Sequence, residues 1–417
     1  MALGLISRLK LKQYHNEPLY RNSVVMIVGT GVTSLIGLLF WIVAVRLMPA
    51  KEIGLASAAI GTASLIVMLS RLGLDIGLVR YFPEAAKPSR LYNSIMNFTT
   101  GISVAGVMVF VTAIGIVSPA LDILQQPAAF LVFLAYVVAT SAFGLQNTTL
   151  IALRKTEYSL VQNILLGVRI PLLFLLVSFG MIGIFLAFEI SYLATYLVGR
   201  HVLKTYGIRF EPRISVAEIK KLAGYSFGNY LCSLFAMAPA TVIPLLIINV
   251  IGAEEGAYFF IAYSIASMLF MIPAAISMSL FVEGSHKAPM ASAAIKSIMM
   301  SLVVLVPMVV FILLFGDSLL QLFSKEYAAQ SADLLKLLSL SSIFNGIIAI
   351  FISVKKVEGD LRSINLVTLL LSLATIATSY LFMLFFGVTG LGFAWILSNA
   401  AVLVCVFIYW RPWATVW

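Results

Sequence analysis

Residues 46–84 read RLMPAKEIGLASAAIGTASLIVMLSRLGLDIGLVRYFPE. The stretch is the end of one apolar helix, a short turn from Pro49 to Gly54, a second apolar helix and a basic exit. A weaker copy, IGAEEGAYFFIAYSIASMLFMIPAAISMSLFVEGSHK, runs from Ile251 to Lys287. In both, an acidic residue and a glycine open the second helix: Glu52 with Gly54, and Glu255 with Gly256, the glycines 202 positions apart. The remaining chain reads as two six-helix halves, one built around each copy.

Composition sets the class. Hydrophobic residues make up 61% and charged residues 11%, with a mean hydropathy of +1.06, which excludes a soluble globular domain. Apolar runs of about 20 residues follow one another along the chain, each long enough to cross a ~30 Å hydrocarbon layer as a helix. The runs lack period-two alternation, so strands are not expected. The first 22 residues are polar and basic with no cleavage signature, so the first span reads as a true helix. Cys232 and Cys405 lie inside apolar runs, which gives neither a disulfide framework nor a metal cluster. The net charge of +10 sits in short loops between spans, a placement that fits lipid headgroups and not nucleic acid.

Twelve spans are predicted: 23–47, 54–76, 93–117, 128–152, 159–180 and 182–203, then 222–250, 256–281, 292–315, 330–353, 362–386 and 388–410. This is an all-α polytopic membrane protein with two pseudo-symmetric six-helix lobes. The lobes are residues 1–204 and 222–417, joined by a linker over 205–221. Of the 27 Lys and Arg residues, 22 fall on the side holding the N-terminus. Arg46, Lys51 and Lys325 fall on the other side, and Arg169 and Lys336 lie within spans. Such a bias puts both termini in the cytoplasm. In the linker, Ser215 and Glu218 fit a capping box for a short surface helix beginning at Val216.

The halves match in order at several places. Ser94-Ile95-Met96 returns as Ser297-Ile298-Met299, and Arg154-Lys155-Thr156-Glu157 as Lys355-Lys356-Val357-Glu358. Gly180, Gly183, Ala187 and Ser191 return with identical spacing as Gly387, Gly390, Ala394 and Ser398. Small residues are common in such spans and one match is chance; an ordered series argues duplication, with the stripe as a close-packing face. Six spans per half give both halves the same orientation, so the repeat axis lies along the membrane normal.

Two lobes of six spans, with MPAKEIGLAS and then LSRLGLDIGLVRYFPE, resemble the polysaccharide-exporter branch of the multidrug/oligosaccharidyl-lipid/polysaccharide flippase superfamily. The residues that carry the likeness are Glu52, Gly54, Gly73, Leu74, Gly77, Arg80 and Tyr81; Ile53 stands where that branch usually has an aromatic. The resemblance implies a multidrug-exporter-like fold and translocation of lipid-diphosphate-linked oligosaccharide across the cytoplasmic membrane by alternating access. It also implies membrane lipids and a polysaccharide polymerase or glycosyltransferase complex as partners.

Arg169, near the middle of the fifth span, is the leading candidate for substrate contact. A central arginine costs about 2.5–3.5 kcal/mol on insertion scales and so faces water or a partner. One reading is a cationic cavity wall for a diphosphate, which a guanidinium can bind bidentately. The other is a brace with Glu189, since the two lie roughly 16 Å and roughly 10 Å deep at 1.5 Å per residue. Arg71 and Asp75 fit a local i,i+4 ion pair, and Arg80 serves either as an orientation charge or as a substrate contact. Arg46 and Lys336 read as snorkelling side chains, and Pro239, Pro244, Pro273 and Pro307 as helix bends.

No P-loop occurs, His15, His201 and His286 all lie away from span centres, and no nucleophile has a triad context. No cofactor or metal site and no enzymatic activity are expected. The first and seventh spans lack acidic residues, which counts against the alternative of a multidrug or cation antiporter. A non-transport scaffold of a polysaccharide synthesis complex is the other alternative.

The charge bias predicts a labelling pattern. In a cysteine-free background, Lys51→Cys, Asp122→Cys, Glu254→Cys and Asp317→Cys react with an impermeant thiol reagent applied outside intact cells. Lys87→Cys, Lys155→Cys, Arg213→Cys and Lys287→Cys do not; one swapped loop breaks the twelve-span scheme.

Overall fold

The computed structural model describes residues 18–285 and 290–410. Expectations that fall on Arg8, Lys10, Lys12, His15, His286, Lys287 and Arg411 lie outside the described residues. Helices account for nearly all of the described chain, and no strand occurs among the described residues. In order they are α1 (Pro18–Leu47), α2 (Ala50–Arg71), α3 (Leu74–Tyr81), α4 (Pro88–Thr112), α5 (Pro127–Ala152), α6 (Thr156–Leu165) and α7 (Arg169–Leu176). There follow α8 (Met181–Thr205), α9 (Val216–Val250), α10 (Ala253–Ser285), α11 (Met290–Gln321), α12 (Lys325–Glu358) and α13 (Leu361–Trp410).

Eleven helical stretches among the described residues are long and apolar enough to span a membrane. The last, Leu361–Ile408, has 48 residues, roughly 70 Å at 1.5 Å per residue, twice what a ~30 Å layer needs. Gly387 interrupts it at φ 56° and ψ −143°, where only glycine sits without strain. The stretch is therefore two spans and the total is twelve, as the sequence predicts. Leu175, Val303, Leu314 and Phe385 are all more than 70% exposed, which fits helices facing lipid.

The linker region differs from expectation. A helix begins at Val216 as expected, but it is not a separate short one: α9 runs 35 residues without a break into the seventh span. Within α9 no proline precedes Pro239, and glycines at 224 and 228 cost only about 1 kcal/mol each, too little to end a helix. Pro239 and Pro244, like Pro273 in α10 and Pro307 in α11, stand inside continuous helices.

The chain packs as two compact units. One comprises residues up to Phe40, Ile66–Thr112 and Leu124–Phe227; the other comprises Trp41–Leu65, Ala113–Ile123 and the chain from Gly228 onward. Packing thus divides the chain differently from the repeat, because the end of α1 and the first two-thirds of α2 join the second unit. In the first unit, Leu74, Leu78, Phe82, Leu91, Ile95, Leu145 and Leu203 form a buried cluster with Ile208 and Leu222. Ile208 and Leu222 bracket the extended stretch that leads into α9. In the second unit, Ile348, Phe351, Val367, Val402 and Val406 form another cluster.

Within the second unit, the two copies of the opening motif cross each other. A Cβ on Gly54 would lie 1.7 Å from the carbonyl oxygen of Ala253; one on Gly256 would lie 2.8 Å from Ile248 Cγ2 and 3.7 Å from Gly54 Cα. Ile53 and Phe259, beside the crossing in sequence, are fully buried. Polar ties hold the same unit. Arg46 donates from Nε (3.1 Å) and Nη2 (2.6 Å) to the carbonyl of Leu322, just past the end of α11, where a cation also meets the negative helix pole. Asn249 donates to Ser118 Oγ (2.8 Å) and accepts from the Ala120 N–H (3.1 Å). Lys336 pairs with Asp317 at 2.9 Å. Arg46 and Lys336, read from the sequence as snorkelling side chains, are therefore also bonded within the protein.

The crossing predicts a graded response. Gly54→Ala forces α2 off α10 and lowers unfolding stability in detergent by about 1–3 kcal/mol, the range for overpacking. Gly101→Ala, where nothing lies within 4 Å of the new methyl, leaves the melting temperature unchanged or slightly raised.

Candidate functional site

Pro171 shapes the segment that holds Arg169. Lacking an N–H, it leaves the Gly167 carbonyl without its i+4 donor, and the chain tightens into a 3-10 turn over Leu166–Val168 before α7 opens at Arg169. The side chain is 5% exposed. Its guanidinium lies over Phe188 at 4.5 Å and Phe40 at 5.5 Å. These rings are themselves edge-packed at 4.9 Å, with Tyr136 and Tyr192 each about 6 Å from Phe188. Among the described residues, the Tyr192 and Tyr136 phenols act electrostatically on Arg169, and no carboxylate forms an ion pair with it. Its Nε is buried without a hydrogen-bond partner among the described residues. Glu189, one residue after Phe188, is half-buried and forms no ion pair with Arg169. Successive residues of a helix point about 100° apart, so once Phe188 faces the arginine, Glu189 faces elsewhere.

Arg71 ends α2, where Leu72 (φ 49°) and Gly73 (φ 76°) reverse the backbone before α3. It pairs with Asp75 at 3.4 Å as the sequence predicts, and its Nη2 occupies the space in which a Gly144 Cβ would lie, 2.0 Å away. Gly77 is buried within α3, while Arg80 is exposed, 5.6 Å from the Tyr81 ring centre. Glu52 occupies the first turn of α2, where a carboxylate suits the positive helix pole.

Sequence reasoning did not find the amide cluster behind this region. Gln162 Nε2 donates to Gln146 Oε1 (2.7 Å) and the Thr195 carbonyl (3.1 Å); Gln146 Nε2 donates to the Tyr196 carbonyl (3.1 Å); Asn147 reaches Gln162 Oε1 (3.3 Å). Gly199 clears the space, since its Cβ would sit 2.1 Å from Gln146 Oε1. The signal was in the chain: Gly183, Ala187, Ser191, Thr195 and Gly199 form one buried stripe at spacing four.

In the second unit, a cavity of about 290 Å³ is lined by Tyr263, Trp395, Asn345, Asn399, Ser372 and Thr375, among others, with no charged residue. Asn345 donates to Asn399 (3.3 Å), and Asn399 donates to the Trp395 carbonyl (2.8 Å). The repeat relates this cavity to the arginine cage. Gly180 (φ 57°, ψ −136°) and Gly387 (φ 56°, ψ −143°) share one backbone conformation, fixing the offset at 207 positions. That offset carries Phe188 onto Trp395 and Tyr192 onto Asn399.

Comparison with known proteins places this geometry. The sequence pattern of a family described as polysaccharide biosynthesis proteins matches residues 19–281. A search of curated proteins finds no match. Among solved structures, lipid II flippase MurJ in an inward closed conformation superposes with a TM-score of 0.77 at 12% identity, covering 93% of this chain and 87% of that one. A MOP superfamily transporter from Pyrococcus furiosus superposes at 0.61 with 16% identity, and a MATE structure bound to MaD5 at 0.64 with 17% identity; each pairing covers 96% of both chains. At these identities the likeness is one of fold.

The unpaired geometry of Arg169 yields a stability test. Arg169→Met, which removes a buried charge and keeps most of the volume, leaves the solubilised protein within about 1 kcal/mol of wild type, because the lost cation–π contact is offset by the lost desolvation penalty. Combined with Glu189→Gln in a double-mutant cycle, the coupling stays below about 0.5 kcal/mol. A larger coupling would restore the brace.

Proposed function

The chain belongs to the polysaccharide biosynthesis protein family, and on that basis we propose that it is a flippase for lipid-diphosphate-linked oligosaccharide. In this reading it moves its substrate from the cytoplasmic to the outer leaflet of the cytoplasmic membrane, with both termini cytoplasmic, by alternating access of the lobes 1–204 and 222–417. The observation that carries it is a buried guanidinium with no carboxylate among the described residues to neutralise it. A charge in such a place is strongly disfavoured unless something pairs with it. A diphosphate supplies two negative charges and oxygens spaced for bidentate contact.

The neutral cavity of the second unit supports the same substrate. Planar amides, hydroxyls and an indole are the groups that bind sugar hydroxyls and the apolar faces of a pyranose. A cationic drug or coupling cation would call for carboxylates in these places, and neither Arg169 nor the cavity has one. Polymerase or glycosyltransferase partners would then act before or after the crossing, and membrane lipids would surround the spans.

The decisive assay is leaflet accessibility of lipid-linked oligosaccharide in cells matched for protein level. Arg169→Ala lowers export roughly tenfold to hundredfold, the loss of one to two charge-assisted hydrogen bonds, while the protein still reaches the membrane folded. Arg169→Lys recovers part, since charge remains and bidentate geometry does not. Arg80→Ala has the smaller effect, as an exposed group. Normal export by Arg169→Ala would sink the reading.

A further inference from the structure

A second basic site lies in the first unit, away from Arg169. A basin of about 700 Å³ opens between the start of α4 and the stretch 206–215 that leads into α9. Lys87, Arg90 and Arg213 line it against a single carboxylate, Glu211, and Tyr206 and Ile214 form part of its wall. None of the three cations has an ion-pair partner among the described residues.

The basin is built, because its far wall is pinned. Ser89, Asn93 and Asn97, at spacing four on α4, hold the extended backbone opposite. Ser89 Oγ donates to the Arg209 carbonyl (2.9 Å) and accepts from the Arg209 N–H (3.2 Å). Asn93 donates to the same carbonyl (2.6 Å), Asn97 to the Glu211 carbonyl (2.9 Å), and the Ser215 N–H donates to Ser94 Oγ (2.9 Å). Arg213 is thereby fixed across from Lys87 and Arg90, not left on a loose tether. The positive pole at the start of the 25-residue α4 adds partial positive charge. Phe210, Ile214 and Val216 beside it are each more than half exposed. Basic groups bordered by uncovered apolar side chains are the signature of a surface at lipid headgroup level.

We propose that this basin binds a phosphate-bearing lipid headgroup, engaged by Lys87, Arg90 and Arg213, with the lipid chains running past Phe210 and Ile214. Two sources share that chemistry: a resident anionic phospholipid and a prenyl-diphosphate carrier.

The test uses the full chain in detergent and three probes: farnesyl diphosphate, dihexanoyl phosphatidylglycerol and inorganic diphosphate, with binding read by thermophoresis. Lys87→Gln/Arg90→Gln/Arg213→Gln weakens binding of at least one lipid probe roughly tenfold to hundredfold. Removing the same charge elsewhere, with Lys51→Gln/Lys296→Gln/Arg362→Gln, changes it less than twofold. Single Arg213→Gln gives an intermediate loss and guards against misfolding of the triple variant. Preference for farnesyl diphosphate assigns the site to a diphosphate carrier, and equal binding of the two lipids assigns it to any anionic headgroup. Inorganic diphosphate bound as tightly as either lipid overturns the lipid assignment, and a triple variant that binds every probe like wild type overturns the site. The triple variant keeps Arg169, so a loss of probe binding reports on the basin and is read separately from the export assay.

Discussion

Helices surrounded by lipid gain little from burying apolar side chains against one another, since lipid tails are equally apolar. Close approach of backbones is what remains, and it requires residues without bulk. The crossing of Gly54 with Ala253 and Gly256 meets that requirement within the second unit. Gly183 against the Leu176 carbonyl and Gly390 against that of Phe382 meet it between consecutive spans of each half, where a Cβ would lie 2.0 Å and 2.3 Å from the oxygen. Where a glycine faces side chains, the space goes to polar groups: Gly144 admits the Arg71 guanidinium and Gly199 admits two glutamine amides. The polar interior of the protein therefore depends on the same residues as its packing.

Charge placement follows from that economy. Three other cations find answers in the fold: Arg71 in Asp75, Lys336 in Asp317 and Arg46 in a carbonyl past a helix terminus. Arg169 lies over aromatic faces and pairs with no carboxylate among the described residues. Rings stabilise a cation by about 2 kcal/mol or more when it is desolvated, which lets the fold tolerate the charge without neutralising it. An aromatic cage thus keeps a buried arginine available, whereas a carboxylate would consume both its charge and its donors.

Much of this was legible in the chain. Apolar runs near 20 residues fixed the class and the count of twelve, and Gly387 confirmed the division that the small-residue stripe had already marked. The i,i+4 pair of Arg71 and Asp75 followed from spacing alone. Other features depend on contacts between distant segments, which no periodicity encodes. The crossing of Gly54 with Gly256 joins two copies that sequence reasoning could align but not bring together. The cage around Arg169 needs Phe40 from α1 and Phe188 from α8. Depth along a span can be counted, but azimuth cannot, and azimuth turned Glu189 away from the arginine. The extended run at 208–215 lacked a local signal because its bonds come from side chains of α4.

Duplication explains why two such different interiors share one design. The glycine turn and the stripe after it are conformational necessities, so both copies carry them: Gly180 and Gly387 adopt the same backbone angles, and Ala187, Ser191, Ala394 and Ser398 are all buried. The positions immediately after the stripe residues are under no such constraint. There the first copy presents Phe188 and Tyr192 near a cation, and the second presents Trp395 and Asn399 to an uncharged cavity. One copy sets aromatic side chains around a cation and the other sets them around an uncharged cavity, so a single backbone design carries two chemistries, chosen by the residues beside the stripe.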